Sequence, residues 1–266
     1  MDIIYFASTL FIIISTSITK IRANEENSSK YTLLDPDCKV ENIGGNKRNN
    51  MYGRWQFCTN GFQHNMNVFS IGIGTDITFD VEMVRKYHSN IWAFDPTISN
   101  ISFHSLVDNF SLPKHLNDKF KFYPFGLGNT DTVIPFYRST NKAFASRVST
   151  PGLEGYTSTP EFYAPVLSIQ TLQFMTKMNE VHILKIDVEG AEFDIFSISS
   201  PMSSWLKESH VSQISIEYHA RFGLQNNQRN FKAISELMRK CGFTKRYKSP
   251  SHEVLYVRTS KPTDKC

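Results

Sequence analysis

The four cysteines contain no CxxC pair, which argues against a zinc ribbon. There is no long basic run and no internal repeat. A formal charge of +4 over 266 residues is too small to imply nucleic-acid binding. The charge-free, Ile-rich stretch at residues 3–19 falls short of the roughly 20 residues that span hydrocarbon comfortably. What is present is ordinary for a globular chain: 40% hydrophobic and 20% charged residues, with 21 Phe to fill a core.

Residues 3–19, followed by Lys20 and Arg22, suit the apolar region of a signal peptide cleaved after Ala23. Asp2 stands where a basic residue is usual, so a short signal-anchor and a buried N-terminal helix stay open. Three sequons, Asn27-Ser28-Ser29, Asn100-Ile101-Ser102 and Asn109-Phe110-Ser111, are usable only in the secretory lumen. In that oxidising setting Cys38 pairs with Cys58 across a polar, Gly- and Asn-rich segment. The alternative is two free buried thiols. The expected location is the secretory pathway: secreted, or in the Golgi or ER lumen. Membrane attachment would come only through an uncleaved N-terminal segment.

Residues 24–50 read as polar loop. From Asn67 on, short apolar runs end in glycine or acid: 67–74, 89–96, 120–129, 181–190 and 211–219. Residues 244–248 and 253–258 suggest a terminal antiparallel pair. Between the runs lie helical spacings: Phe79, Met83 and Tyr87; Ile169, Leu172, Met175 and Met178 after a capping Ser168; and Phe231, Ile234, Leu237 and Met238. Apolar strands alternating with helices predict an α/β fold, a doubly wound and mostly parallel sheet covered on both faces. The stretch 130–165, with four prolines, reads as an irregular lid or substrate loop.

Ligands of such sheets bind beyond the carboxyl ends of the strands. Gly72 and Gly74 let a ligand approach the first strand's end. A dinucleotide fingerprint would want glycine at Ile77, which counts against a pyrophosphate ligand. Asp95 ends the second strand, where an acid can hold both hydroxyls of a ribose or simply start the turn before Pro96. Leu127 and Gly128 could flank a purine. A nucleoside without a phosphate loop suggests S-adenosylmethionine. The fourth strand, "VHILKIDVEG", leads to Asp187 and Glu189. Gly190 allows a sharp turn, and Glu192 falls in the next helix's first turn.

"LKIDVEGAE" (184–192) resembles the signature of FkbM-type methyltransferases. Around it, "RWQFC", "VFSIGIGTDITFD", "AFDPT", "FGLG" and "ISIEYH" resemble the secreted or membrane-anchored animal group typified by methyltransferase-like protein 24. The resemblance covers roughly residues 31–258. It implies a class I methyltransferase (Rossmann-like) fold with seven strands, using S-adenosylmethionine. The acid usual at the start of the cofactor loop is Ser70 here, with Asp76 nearby to compensate. The implied division is 1–23 signal or anchor, 24–66 polar extension, 67–258 methyltransferase domain and 259–266 tail.

The resulting expectation places Ser70, Gly72, Gly74, Asp76, Asp95, Leu127, Gly128 and Asp187 at the cofactor. Asp187, Glu189, Glu217 and His219 stand at the reaction. His219 is the first candidate base, because an ordinary imidazole accepts protons near neutrality; a purely structural His219 is the alternative. A divalent ion held by Asp187, Glu189, Glu217 and His219 ranks below direct base catalysis, so no residue is assigned as a metal ligand. The acceptor would be a hydroxyl on a small molecule, glycan or secreted protein. A catalytically silent binding protein stays open, as does a Golgi glycosyltransferase using Asp35-Pro36-Asp37.

Overall fold

A computed structural model describes residues 31–45, 53–138, 145–146, 159–197, 200–219, 227–249 and 252–266. The signal or anchor segment and the Asn27 sequon lie outside the described residues. Leu33–Cys266 form one compact unit. Among the described residues, no helix is long and apolar enough to cross a membrane.

The chain opens with an antiparallel pair, β1 (Val40–Gly44) and β2 (Arg54–Cys58). Then come β3 (Asn67–Ile71), α1 (Thr78–Tyr87), β4 (Asn90–Phe94), α2 (Asn100–Asp108), α3 (Lys114–Asn117) and β5 (Phe120–Tyr123). A smaller sheet follows, of β6 (Gly126–Leu127), β7 (Thr132–Arg138), β8 (Ala145–Ser146) and β9 (Phe162–Leu167). The last part is α4 (Ile169–Thr176), β10 (Ile183–Ile186), α5 (Glu192–Ile195), α6 (Pro201–Glu208), β11 (Gln213–Glu217), α7 (Asn227–Lys240), β12 (Phe243–Lys248) and β13 (Glu253–Arg258).

The central sheet has seven strands in the order β12-β13-β11-β10-β3-β4-β5. β11, β10, β3, β4 and β5 run parallel, and β13 runs antiparallel to both its neighbours. The expected doubly wound, mostly parallel architecture is what forms. Chain order reverses between β3 and β10, which opens a crevice at their carboxyl ends.

Each face of the sheet carries its own core. Phe69, Ile71, Trp92, Phe94, Leu184, Ile186, Ile214 and Ile216 meet α4, α6 and α7 through Leu172, Leu206 and Met238. Each such side chain, fully buried, contributes about 1.5–3 kcal/mol. Val68, Ile91, Ala93, Ile183 and Leu255 meet α1, α2 and the β1–β2 pair. The strands are therefore not apolar on both faces. Strand alternation puts Ser70, Lys185, Gln213, Ser215, Glu217 and Glu253 on this second face. β1–β2 covers part of that polar stripe: the Gln213 side chain exchanges hydrogen bonds with the Cys58 backbone at 2.8 and 3.0 Å.

Several expectations need correction. Residues 40–44 and 54–58 are strands of the compact unit, so residue 66 marks no structural border. Residues 132–138 and 162–167 form an antiparallel pair, so only the interior of 130–165 falls outside the described residues. The third run splits: β5 joins the large sheet, while Gly126–Leu127 turn away to pair with β9. The tail folds back on the body, with Thr259 N–H donating to Gly242 O and Thr263 N–H to Lys240 O. Two disulfides are present, Cys38–Cys58 and Cys241–Cys266. The second was not anticipated, although two leftover cysteines, once export is expected, should have suggested it. Each crosslink contributes about 3 kcal/mol against the unfolded chain.

Candidate functional site

The two glycines after β3 do different work. Gly72 has φ +70°, and a Cβ there would lie 1.6 Å from the carbonyl oxygen of Asp187. Only glycine lets the turn after β3 press against the end of β10. Gly74 has φ +52°, but a Cβ there would meet nothing within 4 Å. It borders open space, where a ligand can reach backbone N–H groups.

Asp95 ends β4 beside that space and is buried. Its Oδ2 accepts from Gly74 N–H at 2.8 Å; its Oδ1 accepts from Thr97 N–H and Oγ1 at 2.7 and 2.6 Å. The carboxylate is thus held at the crevice by its own loops; both Oδ1 lone pairs are used, and Oδ2 keeps a second one.

Asp76 and Ser70 are placed differently from expectation. Asp76 Oδ1 accepts from Thr78 N–H and Oγ1 at 2.9 and 2.6 Å, fixing the start of α1. Its other oxygen presses against Gly53. Ser70 is fully buried on the second face, beside Asp80 and next to Lys185 across β10. The acid absent at position 70 is brought there by α1 instead. Burial drives the Asp80 pKa up to about 6, against the charge of Lys185 and the Ser70 hydroxyl. Leu127 points into the first core. Gly128 lies against Val166 and donates to Leu167 O at 2.9 Å.

At the ends of β10 and β11 four carboxylates converge on one imidazole. His219 Nε2 lies 3.4 Å from Glu189, 3.7 Å from Glu217 and 3.8 Å from Asp187. His219 Nδ1 is bonded to Glu192 at 2.8 Å. Glu192 Oε1 also accepts from the N–H groups of Val188 and Gly190, which ties the turn to the helix start. That turn carries Glu189 at φ +49° and Gly190 at φ +105°. A left-handed glutamate is strained by about 1–2 kcal/mol, a cost characteristic of functional turns. One ligand atom each from Asp187, Glu189 and His219 all lie within 4.8 Å of one another.

This crowding weighs against the assignment of His219 as the base. Burial alone would lower its pKa, but the hydrogen bond and charge of Glu192, then the charges of Glu189 and Asp187, hold it at about 9. Near neutrality it is an imidazolium without a lone pair to give. Burial raises Asp187 above the ordinary carboxylate range. Burial and the charge of Asp187 bring Glu217 to about 7, the better match for accepting a proton.

Sequence reading gave Glu192 only a role at the helix start and passed over Lys185 and Glu253. Glu192 is wholly buried and is the group that orients His219. Lys185 reaches back from β10 to Gly72 O at 2.7 Å, under the Trp55 ring at 4.6 Å. Glu253 faces Glu217 across β11–β13, and burial with the Glu217 charge lifts it to about 8. Alternation along β13 put Glu253 on the polar face, a signal available in the sequence. Asp35-Pro36-Asp37 forms its own turn, with Asp37 N–H donating to Asp35 Oδ1 at 2.8 Å. Neighbouring Leu34 donates to Arg258 O, at the opposite edge of the sheet.

The strand order, the switch-point crevice and acids at successive strand ends define a class I, Rossmann-like methyltransferase fold. The model of the methyltransferase FkbM domain matches residues 42–245, and the chain belongs to that family. Among curated proteins, none matches with significance. A solved methyltransferase FkbM from Methylobacillus flagellatus KT is 12% identical, with a TM-score of 0.47, over 74% of this chain and 44% of that one. The chain thus spans less than half of that protein's length. The fibrillarin pre-rRNA processing protein of Methanococcus jannaschii is 9% identical, with a TM-score of 0.40, over 86% of both chains. A Pyrococcus furiosus methyltransferase is 9% identical, with a TM-score of 0.32, over 75% and 78%. The family assignment rests on the domain match.

Proposed function

We propose that the chain is an S-adenosylmethionine-dependent O-methyltransferase of the secretory pathway, akin to the methyltransferase-like protein 24 group. Its acceptor would be a hydroxyl on a glycan or a secreted protein. The observation that carries this reading is the meeting of two half-sites at the β3–β10 crevice. One is the open backbone at Gly74 with Asp95 beside it. The other is the group Asp187, Glu217 and His219. The cofactor fits the first half-site: Gly74 leaves room a side chain would fill, and Asp95 Oδ2 offers a lone pair for a ribose hydroxyl. When bound, it supplies an electrophilic methyl group. Glu217 accepts the hydroxyl proton of the acceptor, and the His219 cation, oriented by Glu192, balances the surrounding carboxylates. Asp187, pinned at Gly72, positions the acceptor. Two disulfides and exposed sequons at Asn100 and Asn109 support a luminal location.

Calorimetry with S-adenosylmethionine and its demethylated product should show binding of each to the folded protein. A labelled-methyl assay on secreted glycans and proteins, with mass spectrometry of the product, then identifies the acceptor. Folded protein that gives no heat with either ligand would sink the proposal.

A further inference from the structure

We infer that Asp187, Glu189 and His219 form a binding site for one divalent cation at the crevice. Ligand atoms around an ion with bonds of about 2.1 Å lie about 3 Å apart when adjacent and about 4.2 Å apart when opposite. His219 Nε2 stands 3.4 Å from Glu189 Oε2 and 3.8 Å from Asp187 Oδ1, within that span before any adjustment. Binding displaces the Nε2 proton of the His219 cation to solvent, while Nδ1–H stays with Glu192 and the ring remains set for the task. Glu192 holds Nδ1 at 2.8 Å and so directs Nε2 at the two carboxylates, the carboxylate–histidine arrangement that supports metal ligands. Glu192 is itself wholly buried and held by two backbone N–H groups, so the ring cannot swing away.

A second observation points to a ligand. Asp187 Oδ1 is buried and, among the described residues, accepts no hydrogen bond. It is the oxygen aimed at His219 Nε2. Buried carboxylate oxygens require a partner, and a cation would provide it. Lys185, the buried cation of the same strand, is directed instead to the Gly72 carbonyl and the Trp55 ring.

Two carboxylate oxygens with one imidazole nitrogen form a mixed donor set, suited to Mn²⁺ or Zn²⁺ more than to an all-oxygen Ca²⁺ site. Three protein ligands leave positions open, where a hydroxyl oxygen of the acceptor can coordinate and be polarised. That role rests on the methyl-transfer reading above, whereas the existence of the site does not.

The test is Mn²⁺ titration of the full chain after chelator treatment, without S-adenosylmethionine, following loss of the free-ion electron paramagnetic resonance signal. One ion per chain is expected, with Zn²⁺ competing. Asp187→Asn and Glu189→Gln should each weaken binding at least ~10-fold, and Glu192→Gln, acting through the ring, about 10-fold. Glu236→Gln, on the exposed face of α7, should leave it unchanged. Mn²⁺ should also raise the melting temperature of the parent chain and of Glu236→Gln, but not of Asp187→Asn, so folding and binding are read on the same samples. No Mn²⁺ uptake, or uptake unaltered by both ligand substitutions, overturns the site. S-adenosylmethionine binding is measured separately in chelator. A chain that takes Mn²⁺ but not the nucleoside keeps the cation site and removes the methyl-transfer reading. A chain that takes only the nucleoside does the reverse.

Discussion

The two edges of the central sheet treat buried charge in opposite ways. At the amino edge Arg258 is fully buried, yet its Nε, Nη1 and Nη2 donate to the carbonyls of Val211, Cys241 and Leu206 at 2.7, 2.9 and 2.9 Å. Its guanidinium also stacks on Phe243 at 4.2 Å. At the carboxyl edge one imidazole faces four carboxylates. The first arrangement is complete and ties α6, α7 and β11 to the sheet. Among the described residues, the second gathers four carboxylates around a single imidazole, a crowding that burial penalises. Charge matched by fixed dipoles serves the fold, and carboxylates crowded on one ring serve chemistry.

The most severe way to break the contrast is Arg258→Met, which removes three hydrogen bonds to buried carbonyls, leaving Leu206 O only that from Ser209 Oγ. It should cost about 3–5 kcal/mol, read by urea denaturation. A loss below about 1 kcal/mol would mean the amino edge is not the structural one. At the other edge, Asp187→Asn relieves crowding. Methyl transfer should fall at least ~100-fold (about 2.7 kcal/mol) while the melting temperature holds or rises. A parallel collapse of stability would erase the distinction between the edges.

Glu253→Gln sharpens it through pH. The folded-state pKa of Glu253, about 8, lies above its ordinary value of 4.5. The folded form therefore holds a proton that the unfolded form has released, and stability falls as pH rises from about 4.5 to about 8. Glutamine removes that loss. Melting in chelator should rise by about 5 °C at pH 9 and stay unchanged at pH ~4, below the ordinary glutamate range. A gain at both pH values would assign the effect to packing instead. The smallest effect is expected for Gly74→Ala. Its left-handed backbone should cost ~1 kcal/mol, with cofactor affinity falling because the new methyl enters the open space. Unchanged affinity would move the nucleoside away from this loop.

The parallel strands were legible because their apolar runs end abruptly in Gly72, Asp95, Asp187 and Glu217. Ser168 announced its helix, and its hydroxyl does cap Thr171 N–H. The β1–β2 pair was not legible, since strands covering a polar stripe carry polar residues such as Glu41, Asn42 and Gln56. Among the site residues, sequence position placed Asp187 and His219 at neighbouring strand ends. It could not show that four carboxylates share the histidine, because all but the Glu217 contact join residues far apart in the chain, as in Glu192 and His219. That sharing turned the presumed base into a cation. Asp76 misled for a local reason: an acid two residues before a threonine at a helix start prefers its own backbone.

The contact between Gly72 and the Asp187 carbonyl works as a hinge pin joining the two halves of the crevice. No side chain stands between the two segments there to absorb slack. Comparisons among relatives that treat the two glycines as one motif therefore merge a joint with a doorway. An engineer wishing to widen the entrance should reshape the segment from Gly74 onward and leave Gly72 alone.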